Sequence, residues 1–204
     1  MKDSAAVIIA DHAREGIALR EVFFRTQANL LREIALRAAS CLAKGGKILL
    51  CGNGGNAACT QHIAAEFVHR CSMDRPALPA IALSTNTVTM TSVSEALDFS
   101  HVFSRQVEAL GRPGDMLIGI SCSSDTDSIL IALLTAKRYG LLTVALDQED
   151  SIIHSYSDIA VTVPNAPVQI VQEVHLAAGH IICRLTDYYL FENPTILSEY
   201  INNK

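Results

Sequence analysis

Tryptophan is absent from the 204 residues, and aromatic residues together make up only 5% of the chain. Few side chains are therefore available on which the bases of a single strand could stack. Cations are also scarce: 16 Lys and Arg stand against 21 Asp and Glu, the net charge is −5, and the basic residues form no block. Nucleic acid is not expected as a main ligand, because binding to phosphates requires clustered cations.

Long hydrophobic runs are missing as well. No stretch approaches the ~18 to 20 apolar residues that span a bilayer, and the apolar run near the start is broken by Asp11 and His12, unlike a secretory signal or a transit peptide. The six cysteines are scattered without a C-x-x-C pair, so neither a disulfide framework nor a thiolate zinc site is expected. These features predict a cytoplasmic protein with reduced thiols and no membrane partner.

Hydrophobic residues make up half of the chain and charged residues 18%, which excludes disorder as the general state. Residues 1–43 are predicted to contain a helical arm over 4–43, whose apolar residues recur at three-to-four spacing. Such an arm exposes more apolar surface than one domain of this size can cover, so it is expected to pack against other subunits.

Strands and helices alternate through residues 44–190, and residues 191–204 are predicted to form a polar tail. The predicted strands are continuous apolar runs, at 47–51, 80–83, 116–120, 142–146 and 159–163. Buried parallel strands have this composition, because helices cover both faces of their sheet. The fold class is therefore α/β, a three-layer sandwich that follows the helical arm.

A glycine turn, Gly52-Asn53-Gly54-Gly55, follows the first strand, and Asn56 is predicted to cap the helix after it. Backbone N–H groups at such a turn can bind an anion or sugar hydroxyls. The run also satisfies the G-x-G-x-x-A dinucleotide fingerprint, but the acidic partner expected about 20 residues on is missing from 84–86. A dinucleotide site and a purely structural turn stay open as alternatives.

A second turn, residues 121–128, is rich in hydroxyls and follows the third strand. Short hydroxyls together with free N–H groups at a helix start form a cradle for a phosphomonoester without Lys or Arg. An ordinary capping loop is the alternative, and Asp125 argues against a phosphate lying directly on this turn.

Two helices carry a third group of residues. His62 and Glu66 are one turn apart, and Gln172 shares a helical face with His180. A carboxylate with imidazoles suits proton transfer between adjacent carbons, or binding of a divalent metal. The alternative is a solvated His–Glu pair on a helix surface.

Six short motifs occur in a fixed order within about residues 20–190. They are Cys51-Gly-Asn-Gly-Gly-Asn-Ala-Ala, Gln61-His62-x-x-x-Glu66, Arg75-Pro-x-Leu-Pro-Ala-Ile-Ala-Leu, Phe103-Ser-Arg-Gln-Val-Glu-Ala-Leu-Gly-Arg-Pro-Gly-Asp, Gly119-Ile-Ser-x-Ser and Gln172-Glu-Val-His-x4-His180. In this order they resemble the sugar isomerase (SIS) domain and, within it, the phosphoheptose isomerase family.

The resemblance implies a flavodoxin-like sheet, a homotetramer with sites between subunits, and one zinc per subunit. It implies a phosphosugar substrate: sedoheptulose 7-phosphate is isomerised to D-glycero-D-manno-heptose 7-phosphate through an enediol, in the cytoplasm, for the heptose of lipopolysaccharide. By position, the substrate-binding residues are Asn53, Gly54, Gly55, Ser121, Ser123, Thr126 and Gln172. The metal ligands are His62, Glu66, Gln172 and His180, and Glu66 with His180 is the catalytic acid/base pair.

Several substrate-binding positions depart from the family pattern. Asn56 replaces a serine, Glu95-Ala96 replaces an Asn-Asp pair, and Ile170 replaces an arginine. The alternative function is a non-catalytic SIS protein that binds a sugar phosphate or a replication-initiator partner. Relatives of that kind lack the carboxylate and the last histidine, whereas Glu66 and His180 are both present here, which favours the enzyme.

Overall fold

The computed structural model describes residues 4–122 and 127–203, and this part of the chain forms a five-stranded sheet with helices on both faces. In chain order the elements are α1 (Ser4–Ala43), β1 (Ile48–Gly52), α2 (Gly55–Val68), β2 (Ala80–Ala82), α3 (Thr87–Ala96), a 3-10 turn (Phe99–His101), α4 (Ser104–Leu110), β3 (Met116–Ile120), α5 (Asp127–Arg138), β4 (Leu142–Gln148), a 3-10 turn (Ile153–Tyr156), β5 (Ile159–Val163), α6 (Val168–Asp187), a π-helical turn (Tyr188–Glu192) and α7 (Pro194–Asn202).

The strands are parallel and lie in the order β2-β1-β3-β4-β5. Ile48 at the start of β1 pairs with Ala80 of β2 on one side and with Met116 of β3 on the other. This is the strand order of flavodoxin-like folds. The predicted three-layer α/β sandwich with a flavodoxin-like sheet is therefore confirmed.

Alternation along the strands divides the core between the two faces of the sheet. Leu49 and Leu117 pack with α4 and α5, while Ile48 and Met116 pack with α1, α2 and α6. These strand residues are fully buried, and burying a side chain of this size contributes about 1.5–3 kcal/mol. Both faces of each central strand are thus covered, in agreement with the unbroken apolar runs.

Helix α1 has two halves with different surroundings. In its second half, residues such as Leu31 and Ile34 are buried in the core. In its first half, Ile8 and Ile9 are 68% and 71% exposed. The arm therefore carries apolar surface that the rest of the described chain does not cover.

The helix after the glycine turn begins earlier than predicted. Gly54 precedes α2 with a φ of 54°, in the left-handed region that favours glycine, and Gly55 is already helical. Asn56 is buried in the first turn, where its Oδ1 accepts from Sγ of Cys122 at 3.4 Å. The prediction of Asn56 as the cap was wrong, because the tight turn at Gly54 moves the helix start toward the N-terminus.

The predicted polar tail contains a helix. In α7, Leu197 is buried against Ala35 and Ala39 of α1 and against Tyr189. The segment therefore folds back onto the helical arm. Among the helices within residues 4–122 and 127–203, none has the length and hydropathy needed to cross a membrane.

Candidate active site

The strand order creates a crevice between β1 and β3. All of the parallel strands end at the same edge, and α2 and α5 leave β1 and β3 toward opposite faces of the sheet. Ligands of open α/β sheets bind where the strand order reverses in this way. Across the crevice, Nδ2 of Asn53 donates to Oγ of Ser128 at 2.9 Å. The glycine turn therefore lies beside the start of α5.

The hydroxyl-rich turn lies only partly within the described chain. Ser121 directly follows β3 and is buried, and its N–H donates to the carbonyl oxygen of Leu146 at 3.0 Å. The predicted phosphate-binding residues Ser123 and Thr126, and also Asp125, lie outside the described residues.

A cavity of about 510 Å³ opens next to Asn53 and Ser128. Its other lining residues are Asp98, Phe99, Ser100 and Asp127. Sequence reasoning did not single out Ser100, which lies in a short 3-10 turn without a recognisable motif, or Asp98, which caps that turn. Glu95 and Ala96 are exposed at the end of α3 and do not line this cavity.

Helices α2 and α6 bring the predicted acid/base and metal residues together. The Nε2 atoms of His62 and His180 are 2.9 Å apart, and Nε2 of His62 is 3.6 Å from Oε1 of Glu66. The two helices approach closely because α6 has a glycine at the contact: a Cβ on Gly179 would clash with the side chain of Ile63. The three residues thus form one cluster at the contact between the two helices.

Gln172 lies on the same side of the sheet, against the glycine turn. A Cβ added to Gly55 would lie 2.5 Å from Nε2 and 2.6 Å from Oε1 of Gln172, so a larger residue here would displace the end of the Gln172 side chain. Gln172 and His62 both line a cavity of about 330 Å³ between α2 and α6. Gln172 and the His62 side of the cluster therefore face the same cavity.

Within the described chain, no three His, Cys, Asp or Glu side chains are arranged to bind a metal as they stand. The donor set nevertheless suits zinc, which takes imidazole nitrogens and carboxylate oxygens. Two nitrogens bound to a tetrahedral zinc at about 2.0–2.1 Å lie about 3.3 Å apart, and the 2.9 Å between His62 and His180 is close to this value. The residues present therefore fit a zinc ion after small side-chain movements.

Cys71 contacts both sides of the cluster. Its Sγ donates to the carbonyl oxygen of His180 at 3.9 Å, and its side chain also forms a hydrogen bond with that of Glu66. Burial and then this hydrogen bond raise the pKa of Cys71 to about 11, so the thiol stays protonated as a donor. Sequence reasoning missed Cys71, because a single cysteine beyond the end of a helix carries no pattern.

His175 is also on α6 but points into the core. Its Nε2 is 3.2 Å from the carbonyl oxygen of Asp147, and its Nδ1 is 3.5 Å from Sγ of Cys122. Burial lowers the pKa of His175 to about 4. A neutral His175 therefore connects α6 to the beginning of the hydroxyl-rich turn, and it is too deeply buried to meet a substrate.

Known proteins with related sequences agree with this fold. The family model of the SIS domain matches residues 11–147. The chain is 54% identical to a phosphoheptose isomerase of Desulfovibrio desulfuricans, over 99% of this chain and 97% of that protein. It is 43% identical to a phosphoheptose isomerase of Nitratidesulfovibrio vulgaris, over 100% of this chain and 99% of that protein.

Solved structures give the same result. The structure of a phosphoheptose isomerase from Neisseria gonorrhoeae superposes with a TM-score of 0.83 at 33% identity, over 90% of this chain and 98% of that chain. That of a phosphoheptose isomerase from Francisella tularensis superposes with a TM-score of 0.86 at 30% identity and the same coverage. Fold, site and family match together define an SIS-domain protein. Within that class, the chain belongs to the phosphoheptose isomerase family.

Proposed function

We propose that this chain is an aldose–ketose isomerase that converts sedoheptulose 7-phosphate to D-glycero-D-manno-heptose 7-phosphate. The product would enter the synthesis of lipopolysaccharide heptose in the cytoplasm. The observation that carries the proposal is the cluster of His62, Glu66 and His180 where α2 meets α6. The name shared by relatives at 43–54% identity over nearly the whole chain supports the choice of substrate.

The reaction moves one proton between two adjacent carbons. Glu66 removes a proton from C1 of the ketose, and His180 protonates the carbonyl oxygen at C2, which gives the enediol. Delivery of a proton to C2 and loss of the proton on the C1 oxygen then complete the aldose. A positioned acid/base pair of this kind contributes about 10²–10⁴-fold to the rate.

Four residues would hold one zinc per subunit: His62, Glu66, Gln172 and His180. When bound, the ion would stabilise the negative charge that develops on the substrate oxygens. The contribution of the chain itself is orientation, because the contact of α2 with α6 holds the donors on one side of the crevice.

The remaining substrate atoms would bind along the crevice between β1 and β3. The sugar hydroxyls would be bound by Asn53, Gly54, Gly55 and Gln172. The phosphate would be bound by the turn that contains Ser121, Ser123 and Thr126. Support comes from the position of the glycine turn and of Ser121 at the carboxyl edge of the sheet, and from the cavity of about 510 Å³ that Asn53 lines.

The assembly would be a homotetramer with active sites between subunits. The apolar first half of α1 supports this proposal, because residues as exposed as Ile8 and Ile9 are normally covered by a partner when they occur together. A second copy of the chain would supply that cover.

The alternative of a non-catalytic SIS protein is not favoured, because both Glu66 and His180 are kept and lie beside His62. Incubation of the purified chain with sedoheptulose 7-phosphate tests the proposal. The expected product is the aldose heptose 7-phosphate, detected by mass spectrometry after chemical reduction with deuteride. Absence of product, with no exchange of C1 protons into solvent, would refute it.

A further inference from the structure

Arg75 lies in the loop after α2, and its guanidinium closes the end of that helix. Nη2 donates to the carbonyl oxygen of Glu66 at 2.9 Å, and Nη1 donates to that of Phe67 at 2.7 Å. Carbonyl groups in the last turn of a helix have no partner within the helix, and a cation at that end interacts favourably with the helix dipole. Arg75 therefore binds the backbone of the residue whose carboxylate faces His62.

The charge of Arg75 is balanced by a residue of the second helix. Its Nε donates to Oδ1 of Asp187 at 2.8 Å, and the two side chains are 1% and 0% exposed. Asp187 is the last residue of α6, about two helical turns after His180. The ion pair thus connects the end of α2 to the end of α6.

Stability alone gives little reason for this ion pair. The desolvation of two buried charges often outweighs their attraction, and apolar residues of similar size are commonly as stable or more stable. Oδ2 of Asp187 is buried and has no hydrogen-bond partner among the described residues, and leaving such an atom unpaired costs about 1–3 kcal/mol. What the pair does provide is geometry, because the planar guanidinium bonds to both helices at once.

The close contact between α2 and α6 makes their relative position matter. Gly179 lies against Ile63 without room for a Cβ, and the adjacent residues His180 and His62 meet at 2.9 Å. A shift of one helix along the other would break this contact and move Glu66 away from His180. We propose that Arg75 and Asp187 are positioning residues, whose ion pair fixes α2 against α6 and holds Glu66 and His180 in place for proton transfer.

The inference rests on the function proposed above, and kinetics with sedoheptulose 7-phosphate test it. Arg75→Lys keeps the charge but loses the planar fork, and Asp187→Asn keeps the shape but loses the charge. In each variant we expect kcat to fall at least ~10-fold with KM changed less than ~2-fold, because misplacement by about 1 Å costs up to ~100-fold in rate. A kcat within twofold of wild type in both folded variants would overturn the proposal.

Asp115→Asn is the matched control for lost stability. The Asp115 carboxylate is also buried and paired, with Lys47, but it lies at the opposite edge of the sheet, where β1 and β3 begin. We expect a lower melting temperature with unchanged kcat. If this variant loses as much kcat as Arg75→Lys, activity simply follows stability and the proposal is wrong.

The double variant Arg75→Met with Asp187→Leu separates position from stability. Apolar side chains of similar size restore packing, so we expect a melting temperature near that of wild type and a kcat still at least ~10-fold lower. Wild-type kcat in this variant, or its failure to fold, would show that the pair serves stability instead. If the wild-type chain itself does not isomerise sedoheptulose 7-phosphate, the proposed function is wrong. If wild type is active but the variants keep its kcat, only this inference is wrong.

Discussion

The Nε2 atoms of His62 and His180 lie 2.9 Å apart, although 118 positions separate the two residues in the sequence. Glu66 joins them, with Oε1 3.6 Å from the same nitrogen of His62. The candidate active site is therefore formed by the contact of two helices and not by a local motif. A change on either helix is expected to affect the same chemistry.

Removal of either member of the acid/base pair is expected to stop turnover without unfolding the protein. Glu66→Gln keeps the size of the side chain but removes its basic oxygen, and His180→Asn removes the second proton carrier. Each change should lower kcat at least ~100-fold, because a positioned base contributes about 10²–10⁴-fold. Exchange of the C1 protons of sedoheptulose 7-phosphate with D₂O, followed by NMR, measures the step directly.

Glu199→Gln is the control for this experiment, because Glu199 is an exposed carboxylate on α7. It should exchange protons at the wild-type rate. Wild-type exchange in Glu66→Gln would mean that Glu66 is only a solvated helix residue.

Zinc content provides a readout that does not depend on activity. Protein purified without chelator should contain up to one zinc per chain by elemental analysis, and His62→Asn should contain much less, since it removes one imidazole ligand. His69→Asn is the matched control, because His69 is exposed at the end of the same helix. Full isomerase activity in metal-free protein would remove the ion from the proposed mechanism.

The apolar first half of α1 is expected to hold subunits together. The pair Ile8→Glu and Ile9→Glu places two charges on this surface, so sedimentation should show dissociation of the proposed tetramer at micromolar concentration. Leu134→Glu, on α5 at the other face of the sheet, alters a residue that is also exposed and should leave assembly intact. A wild-type chain that sediments as a stable monomer of 22.0 kDa would contradict the assembly.

Burial of His175 predicts that stability falls at mildly acidic pH. Its pKa drops from 6.5 in the unfolded chain to about 4 in the folded one, so between these values the unfolded chain binds more protons. This histidine therefore destabilises the fold progressively as the pH falls from about 6.5 to about 4, by up to about 3 kcal/mol in total. Above pH 6.5 it has no such effect.

Urea unfolding at pH 7.5, 6.0 and 5.0 measures this dependence. The free energy of unfolding of wild type should fall over this range, and His175→Gln should show a shallower dependence. His69→Asn should retain the slope of wild type, because it replaces an exposed histidine. If the free energy of unfolding changes equally with pH in wild type and in His175→Gln, His175 is not the source of the pH dependence.

Local patterns in the sequence predicted most of the secondary structure. The strands Met116–Ile120 and Ile159–Val163 match their predicted bounds. Such features depend on apolar runs and capping residues within a few positions. The strand predicted over 142–146 continues to Gln148, because backbone pairing with β5 extends beyond its apolar part.

Contacts between distant elements could not be derived from the same patterns. Helical spacing placed His62 near Glu66 on one helix, and Gln172 on the same face as His180 on another. It did not show which faces of the two helices are in contact. Arg75 was noticed only as part of a motif, since its burial depends on Asp187 at the end of another helix. Helix α7 was missed because its apolar side chains gain a partner only when they fold back onto α1.

The order of the elements along the chain has a consequence for biosynthesis. Helix α6 follows the last strand of the sheet, and it carries Gln172 and His180. A nascent chain that has already formed β1 and α2 therefore contains His62 and Glu66 but still lacks α6, the helix that brings His180 to them. We therefore expect activity only after α6 has been synthesised and has docked against α2, so a translation product that ends before α6 should not turn over substrate.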